Sequence, residues 1–179
     1  MTIWTVSRES DGYSLAAAHH RTPCLVGKSG LIAAEDKREG DMATPVGDWP
    51  LRRIYYRPDR VELPATPLPA MALTPSMGWC DDPEDEYYNL PVDLPYGASH
   101  ERLWRDDGLY DFIVVLGHND SPPEPFRGSA IFLHLREPDT RHTAGCVAVT
   151  KEDMITLLGA ADRNTMLRVI DEQHTGTAL

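Results

Sequence analysis

Eight of the chain's 15 prolines fall between Pro58 and His100: Pro58, Pro64, Pro67, Pro69, Pro75, Pro83, Pro91 and Pro95. Proline has no backbone N–H and a fixed φ, so a stretch this dense in it holds neither a long helix nor a central strand. The same stretch carries Trp79, Tyr87, Tyr88 and Asn89, with an acidic run from Asp81 to Glu86. A long aromatic loop inside a compact domain reads as a binding lid, with an ordered surface loop as the plainer alternative.

On either side the patterns are those of short strands. Thr2 to Ser7 (with Ile3, Trp4 and Val6), Pro23 to Lys28 and Leu51 to Arg57 are strand candidates, and Ser29-Gly30 is a turn. Lys37 to Pro45 is a polar loop. Asp111 to His118 contains five consecutive apolar residues, which fits a strand buried on both faces. In Ser129 to Leu135, Ala130, Phe132 and His134 share one face, and Ile131, Leu133 and Leu135 share the other. After a polar loop, Val147 and Val149 fall on one side of a further strand, with Cys146 and Ala148 on the opposite side. Thr150-Lys151-Glu152-Asp153 has the form of a capping box before a helix reaching about Ala161, with Met154, Leu157 and Leu158 at helical spacing. Thr165 to Ile170 is a last strand. The expected fold is a single domain over 1–179. It is mostly β, a sandwich or partly open barrel with one or a few short helices, and a lid-like insert occupies about 58–100.

Charge bounds the partners. With 17 Lys+Arg against 28 Asp+Glu the formal net charge is −11, which argues against nucleic acid, because phosphate contacts need a basic surface. No apolar run approaches membrane-spanning length. The N-terminal residues lack a basic stretch followed by a long apolar one, the mark of a signal peptide. The chain is then cytosolic, or leaves by another route, or naturally starts elsewhere. Cys24, Cys80 and Cys146 are an odd number, so at least one thiol is free. Either Cys24 pairs with Cys80, or all three are reduced.

Cys146 is the candidate nucleophile. An ordinary thiol has a pKa near ~8.5 and needs a base to work at neutral pH. His134 is the preferred base, because a strand fixes its position. Gly145, having no Cβ, allows a tight turn, and the amides of Ala144, Gly145 and Cys146 form a candidate oxyanion hole. The Thr143 hydroxyl is placed to orient the base or a substrate group. His142 is a loop-borne candidate substrate contact, while His118, at a strand end, reads as structural. His19, His20, His100 and His174 have no motif context. Arg136 and Arg141 flank the loop and serve either as two-point carboxylate contacts or as solvated charges. His134, His142 and Cys146 are three potential zinc ligands, but no Cys-x-x-Cys pair or His-Glu-x-x-His helix accompanies them, and neither metal nor cofactor is expected.

These residues resemble the L,D-transpeptidases, built on the YkuD-type catalytic domain, which carry an upstream histidine and then Ser/Thr-x-Gly-Cys. His134 matches the first and Thr143-Ala144-Gly145-Cys146 the second. Gly40 to Gly47, with its Thr44-Pro45-Val46-Gly47, and Gly128 to His134 are also similar to family segments. Ala144 stands where the family usually has histidine, and Ala148 where it often has a polar residue. The loop between His134 and Thr143 is shorter than the common pattern, so the chain looks like a divergent branch.

The resemblance implies a peptidoglycan cross-linking enzyme with a cysteine acyl-enzyme. It would join two third-position diaminopimelates, or link a first-position L-alanine to diaminopimelate. A related reading is an L,D-carboxypeptidase on the same site; a different one is a non-catalytic wall-binding domain. It implies a periplasmic location, stem peptides as partners and acylation by carbapenems. Within the insert, Trp79, Tyr87 and Tyr88 become candidate substrate contacts, with packing of the lid onto the sheet as the alternative.

Overall fold

The computed structural model describes residues 2–171; His174 lies outside them. In chain order the elements are β1 (Ile3–Glu9), β2 (Gly12–Ala17), β3 (His20–Cys24), β4 (Leu31–Ile32), β5 (Thr44–Pro45), β6 (Gly47–Tyr56), β7 (Ala70–Ala72), β8 (Met77–Cys80), β9 (Pro91–Asp93), β10 (His100–Arg102), β11 (Phe112–Leu116), β12 (Phe132–Leu135), β13 (Val147–Val149), α1 (Lys151–Ala160) and β14 (Met166–Val169). One 3₁₀ turn, Ala34–Asp36, precedes β5.

A nine-stranded sheet runs in the order β13-β12-β11-β6-β14-β1-β2-β3, with β7 added to β6. Its two ends meet. Leu25, just beyond β3, exchanges two backbone hydrogen bonds with Ala148 of β13, at 2.8 and 3.0 Å. The sheet thus nearly closes into a barrel, the mostly-β architecture that the strand patterns predict. β14 is parallel to β1 and antiparallel to β6, and so joins the N-terminal strands to the site-bearing half.

The alternation read in the sequence holds residue by residue. Ile131, Leu133, Leu135, Val147 and Val149 enter the main core with Trp4, Leu15, Ile54 and Val114. Ala130, Phe132 and Cys146 belong to a second apolar cluster with Trp79, Tyr110, Ile113 and Leu103. The strand is shorter than expected: Ala130 has φ 52°, so the backbone before Phe132 is bent out of extended geometry. The Thr150 side chain accepts from the Asp153 amide as the N-cap of α1, and Met154, Leu157 and Leu158 are buried beneath it. β2 was not foreseen. Its Ser-Leu-Ala-Ala core has weak strand propensity, but pairing with both β1 and β3 overrides this.

The proline-rich insert is more ordered than a loop. β8, β9 and β10 form a small antiparallel sheet, and Pro91 opens an edge strand, where its missing N–H costs no ladder bond. Asn89, at φ 58°, fastens the insert to the barrel. Its Oδ1 accepts from Trp79 Nε1 at 3.0 Å and from the Ala130 amide at 2.9 Å. Its Nδ2 donates to the carbonyls of His118 and Asn119, at 3.1 and 2.7 Å.

Candidate active site

Cys146 sits where the loop before β13 turns into the strand, and three contacts shape that turn. The Thr143 hydroxyl donates to the Cys146 carbonyl at 2.6 Å and accepts from the Gly145 amide at 3.1 Å. Thr44 donates to the Gly145 carbonyl at 2.8 Å, and the Gly27 amide donates to Thr44 at 2.9 Å. Gly145 has φ +139°, and a Cβ there would lie 3.0 Å from the Ala43 carbonyl oxygen, so glycine is required on both counts. Thr143 is therefore a buried brace of the turn. Because its oxygen takes the Gly145 amide, the oxyanion donors that remain from the sequence reading are the amides of Ala144 and Cys146.

The sulfur lies against the next strand. Cys146 Sγ donates to the Ala130 carbonyl at 3.1 Å and accepts from the Phe132 amide at 3.3 Å. His134 lies two residues beyond Phe132 on the same face, so about 7 Å of strand separates its ring from the sulfur's neighbour. His134 Nδ1 donates to the Leu135 carbonyl at 2.7 Å, which leaves the lone pair of the neutral ring on Nε2. Tyr110 packs edge-on against this ring with centroids 5.2 Å apart, and its hydroxyl donates to Glu101 at 2.7 Å.

Both candidate groups rest uncharged. Burial pushes the Cys146 thiol up to about 12, and the Glu101 carboxylate adds to the effect, against the Phe132 amide and Lys37. Burial likewise pulls His134 down to about 4. Burial also raises Glu101 itself. The resting pair is a thiol and a neutral imidazole, not the thiolate that an activated nucleophile would suggest.

Cys146 and His134 open into one cleft of about 490 Å³, which Thr143, Ala144 and His142 also line. Its charged and phenolic lining escaped the sequence reading: Lys37, Glu39, Asp81, Glu101, Arg105 and Tyr110. Lys37 belongs to the loop read as polar, yet it is buried, with Nζ donating to Asp41 at 2.6 Å and to the Arg38 carbonyl at 2.9 Å. Glu39 accepts from Ser129 at 2.8 Å and from the Tyr88 hydroxyl.

Several sequence candidates sit elsewhere. Trp79 and Tyr88 do not line this cleft. Trp79 is buried edge-on against Phe132 at 5.1 Å, and the Tyr88 hydroxyl accepts from the Gly128 amide at 3.0 Å, so both pack the insert onto the barrel. Tyr87 is exposed. Arg136 and Arg141 line a separate groove behind the loop; of the loop candidates outside the Cys motif, His142 alone reaches the cleft. His118 is buried, with Nε2 against the Arg127 carbonyl at 3.0 Å, while Nδ1 has no partner among the described residues. Cys24, Cys80 and Cys146 are all free thiols. Among the described residues no group of three or more His, Cys, Asp or Glu side chains is disposed to hold a metal, and no helix is long and apolar enough to cross a membrane.

Comparison with solved structures returns several partial matches. Bd1075 of Bdellovibrio bacteriovorus is 13% identical, with a TM-score of 0.47, over 95% of this chain and 48% of that one. L,D-transpeptidase 3 of Mycobacterium tuberculosis is 14% identical at a TM-score of 0.46, over 95% and 61% of the two chains. L,D-transpeptidase 1 of the same organism is 10% identical at 0.42, over 95% and 62%. This chain thus spans about half to three-fifths of their lengths. No curated protein matches by sequence. The L,D-transpeptidase catalytic domain (YkuD) family model matches residues 13–170, and the chain belongs to that family.

Proposed function

We propose that the protein is a cysteine-dependent peptidoglycan L,D-transpeptidase. The observation that carries this is that Cys146, which leads into β13, and His134, on the adjacent β12, open into one cleft, with the imidazole tautomer fixed by Leu135. A donor stem peptide enters the cleft with an L-centre carbonyl over the sulfur. The thiol leaves the Ala130 carbonyl and its proton passes to His134 Nε2 as the S–C bond forms, so no free thiolate accumulates. The carbonyl oxygen turns negative against the amides of Ala144 and Cys146. His134 then gives its proton to the departing amine, and a thioester remains on Cys146. The side-chain amine of diaminopimelate on a second stem attacks this thioester, loses a proton to His134, and returns the thiol. The donor is either a third-position diaminopimelate or a first-position L-alanine. The reaction places the protein in the periplasm, and carbapenems acylate the same sulfur.

Incubation with tetrapeptide muropeptides, followed by mass analysis of the products, tests the proposal. Cross-linked dimers that disappear in Cys146→Ala support it, and the dimer mass and fragmentation identify the donor position. Tripeptide without dimer makes the enzyme an L,D-carboxypeptidase that uses water as acceptor. No product and no mass gain on Cys146 leave a wall-binding domain.

A further inference from the structure

The groove behind the site loop has a chemistry that the cleft does not use. It encloses about 580 Å³ and is lined by Arg8, Lys28, Arg136, Arg141 and His142, with Asp11 as its one carboxylate. Four permanent cations thus converge on one groove of a chain whose formal charge is −11. Several arginines elsewhere are matched by carboxylates: Arg52 with Asp120, Arg57 with Asp59, Arg105 with Asp107 and Arg168 with Asp48. Among the described residues none of Arg8, Lys28, Arg136 and Arg141 forms an ion pair. Arg8 is held in place by its bond to the Tyr13 hydroxyl at 2.8 Å and by stacking over the Tyr13 ring at 5.1 Å. Arg136 Nε is sealed from solvent with no acceptor among the described residues. Its guanidinium lies close enough to Cys24 to act against the burial that raises that thiol. A buried donor left without a partner costs stability unless something fills the site.

Position adds to charge. The groove floor is the Leu25–Lys28 segment, which closes the barrel and hydrogen-bonds Thr143. His142 lines both the groove and the Cys146 cleft, so the two adjoin at that residue.

We infer that this groove binds the acceptor stem peptide through its carboxylates, with Arg136 and Arg141 as the principal contacts and Lys28 and Arg8 at the rim. The inference rests on the transpeptidase reading and extends it to the second substrate. A γ-D-glutamyl-diaminopimelate segment carries several carboxylates near the nucleophilic amine, which suits guanidinium forks.

The test uses the Cys146→Ala protein and the tripeptide L-alanyl-γ-D-glutamyl-diaminopimelate, with its fully amidated counterpart as control, titrated by calorimetry at low salt. Arg141→Ala and Lys28→Ala should each weaken tripeptide binding about five- to tenfold, and the double substitution should reduce it to the level of the amidated peptide. Both side chains are exposed, so folding is not at risk; Arg136→Lys serves as the milder change at the half-buried position, and Arg53→Ala, outside the groove, as the control. Tripeptide binding that is absent, unchanged by these substitutions or matched by the amidated peptide would overturn the inference. The parent reading fails separately. If tetrapeptide adds no mass to wild-type Cys146 while tripeptide binding still depends on Arg141, the groove stands and the transferase does not.

Discussion

The Cys146 thiol is held by the Ala130 carbonyl, 3.1 Å away, two residues before the strand that carries His134. A carbonyl acceptor stabilises S–H and not S⁻, so this bond works with burial to keep the sulfur protonated until substrate displaces it.

One consequence concerns alkylation. Burial raises Cys146 and Cys24 to about 12 and raises Cys80 as well. Iodoacetamide should therefore label the native protein slowly at pH 7, with a rate rising about tenfold per pH unit up to the limit of native stability. Rapid labelling of Cys146 at neutral pH, mapped by peptide mass, would contradict the resting thiol. Slow labelling is compatible with the proposed mechanism, in which the proton leaves in concert with attack.

His134 makes stability depend on pH. Its folded pKa, about 4, lies below the unfolded value of 6.5, so between these values the unfolded chain binds more protons and stability falls as pH falls. The contribution is complete above pH 6.5 and is lost progressively down to about 4, roughly 3 kcal/mol in all. His118 is lowered too and acts in the same direction. Urea unfolding at pH 7 and 4.5 should show the loss. His134→Asn, which preserves a donor for the Leu135 carbonyl, should reduce it by about half or more. The acid limb of transpeptidation should likewise lie near pH 4 to 5, since the base stays unprotonated until then.

Thr143→Val should remove the brace of the nucleophile turn. The Gly145 amide loses its acceptor and the Cys146 carbonyl loses a donor, at a cost of about 2 kcal/mol of unfolding free energy, measured by urea titration. Acylation of Cys146 by a tetrapeptide should fall by at least tenfold. Thr143→Ser keeps the oxygen and should recover most of both. Equal behaviour of the two variants would show that the hydroxyl is not what holds the turn.

Asn89→Ala should damage the site from outside it. Four hydrogen bonds go, and the Trp79 indole and the Ala130 amide are left as unmet buried donors. The expected loss is about 3 kcal/mol or more. The Ala130 carbonyl that positions the thiol is then less well fixed, so donor acylation slows. Asn89→Asp retains the Oδ1 acceptor and should lose less than the alanine variant. If it loses as much, the link through Ala130 is wrong.

The parts legible in the sequence were those that local patterning specifies. Alternation placed Phe132 and His134 on one face and Leu133 and Leu135 on the other, and the Thr150 cap fixed where α1 begins. The Thr-Ala-Gly-Cys run marked the turn, although not that Thr143 would take up the Gly145 amide. Glu101, Tyr110 and Lys37 were not legible, because they reach the cleft only through the β8–β10 pairing, the start of β11 and the folding back of the 37–45 loop. Trp79 and Tyr88 looked like substrate contacts because exposed-loop composition and lid-to-barrel packing call for the same aromatic residues. Arg136 and Arg141 flank the loop that precedes Cys146 in the chain, but the strand that Arg136 follows and the loop that Arg141 joins turn them to the far side.

The bond pair between Leu25 and Ala148 has a consequence for synthesis. The strand after Cys146 takes a neighbour from Leu25, far upstream in sequence, and β14, which seats that neighbour's hairpin beside β6, follows every other strand in chain order. The middle strands can collapse early, but the sulfur takes up its folded surroundings only when the segments before β4 have met those after β12. Until then Cys146 lacks the neighbours that the closed barrel gives it.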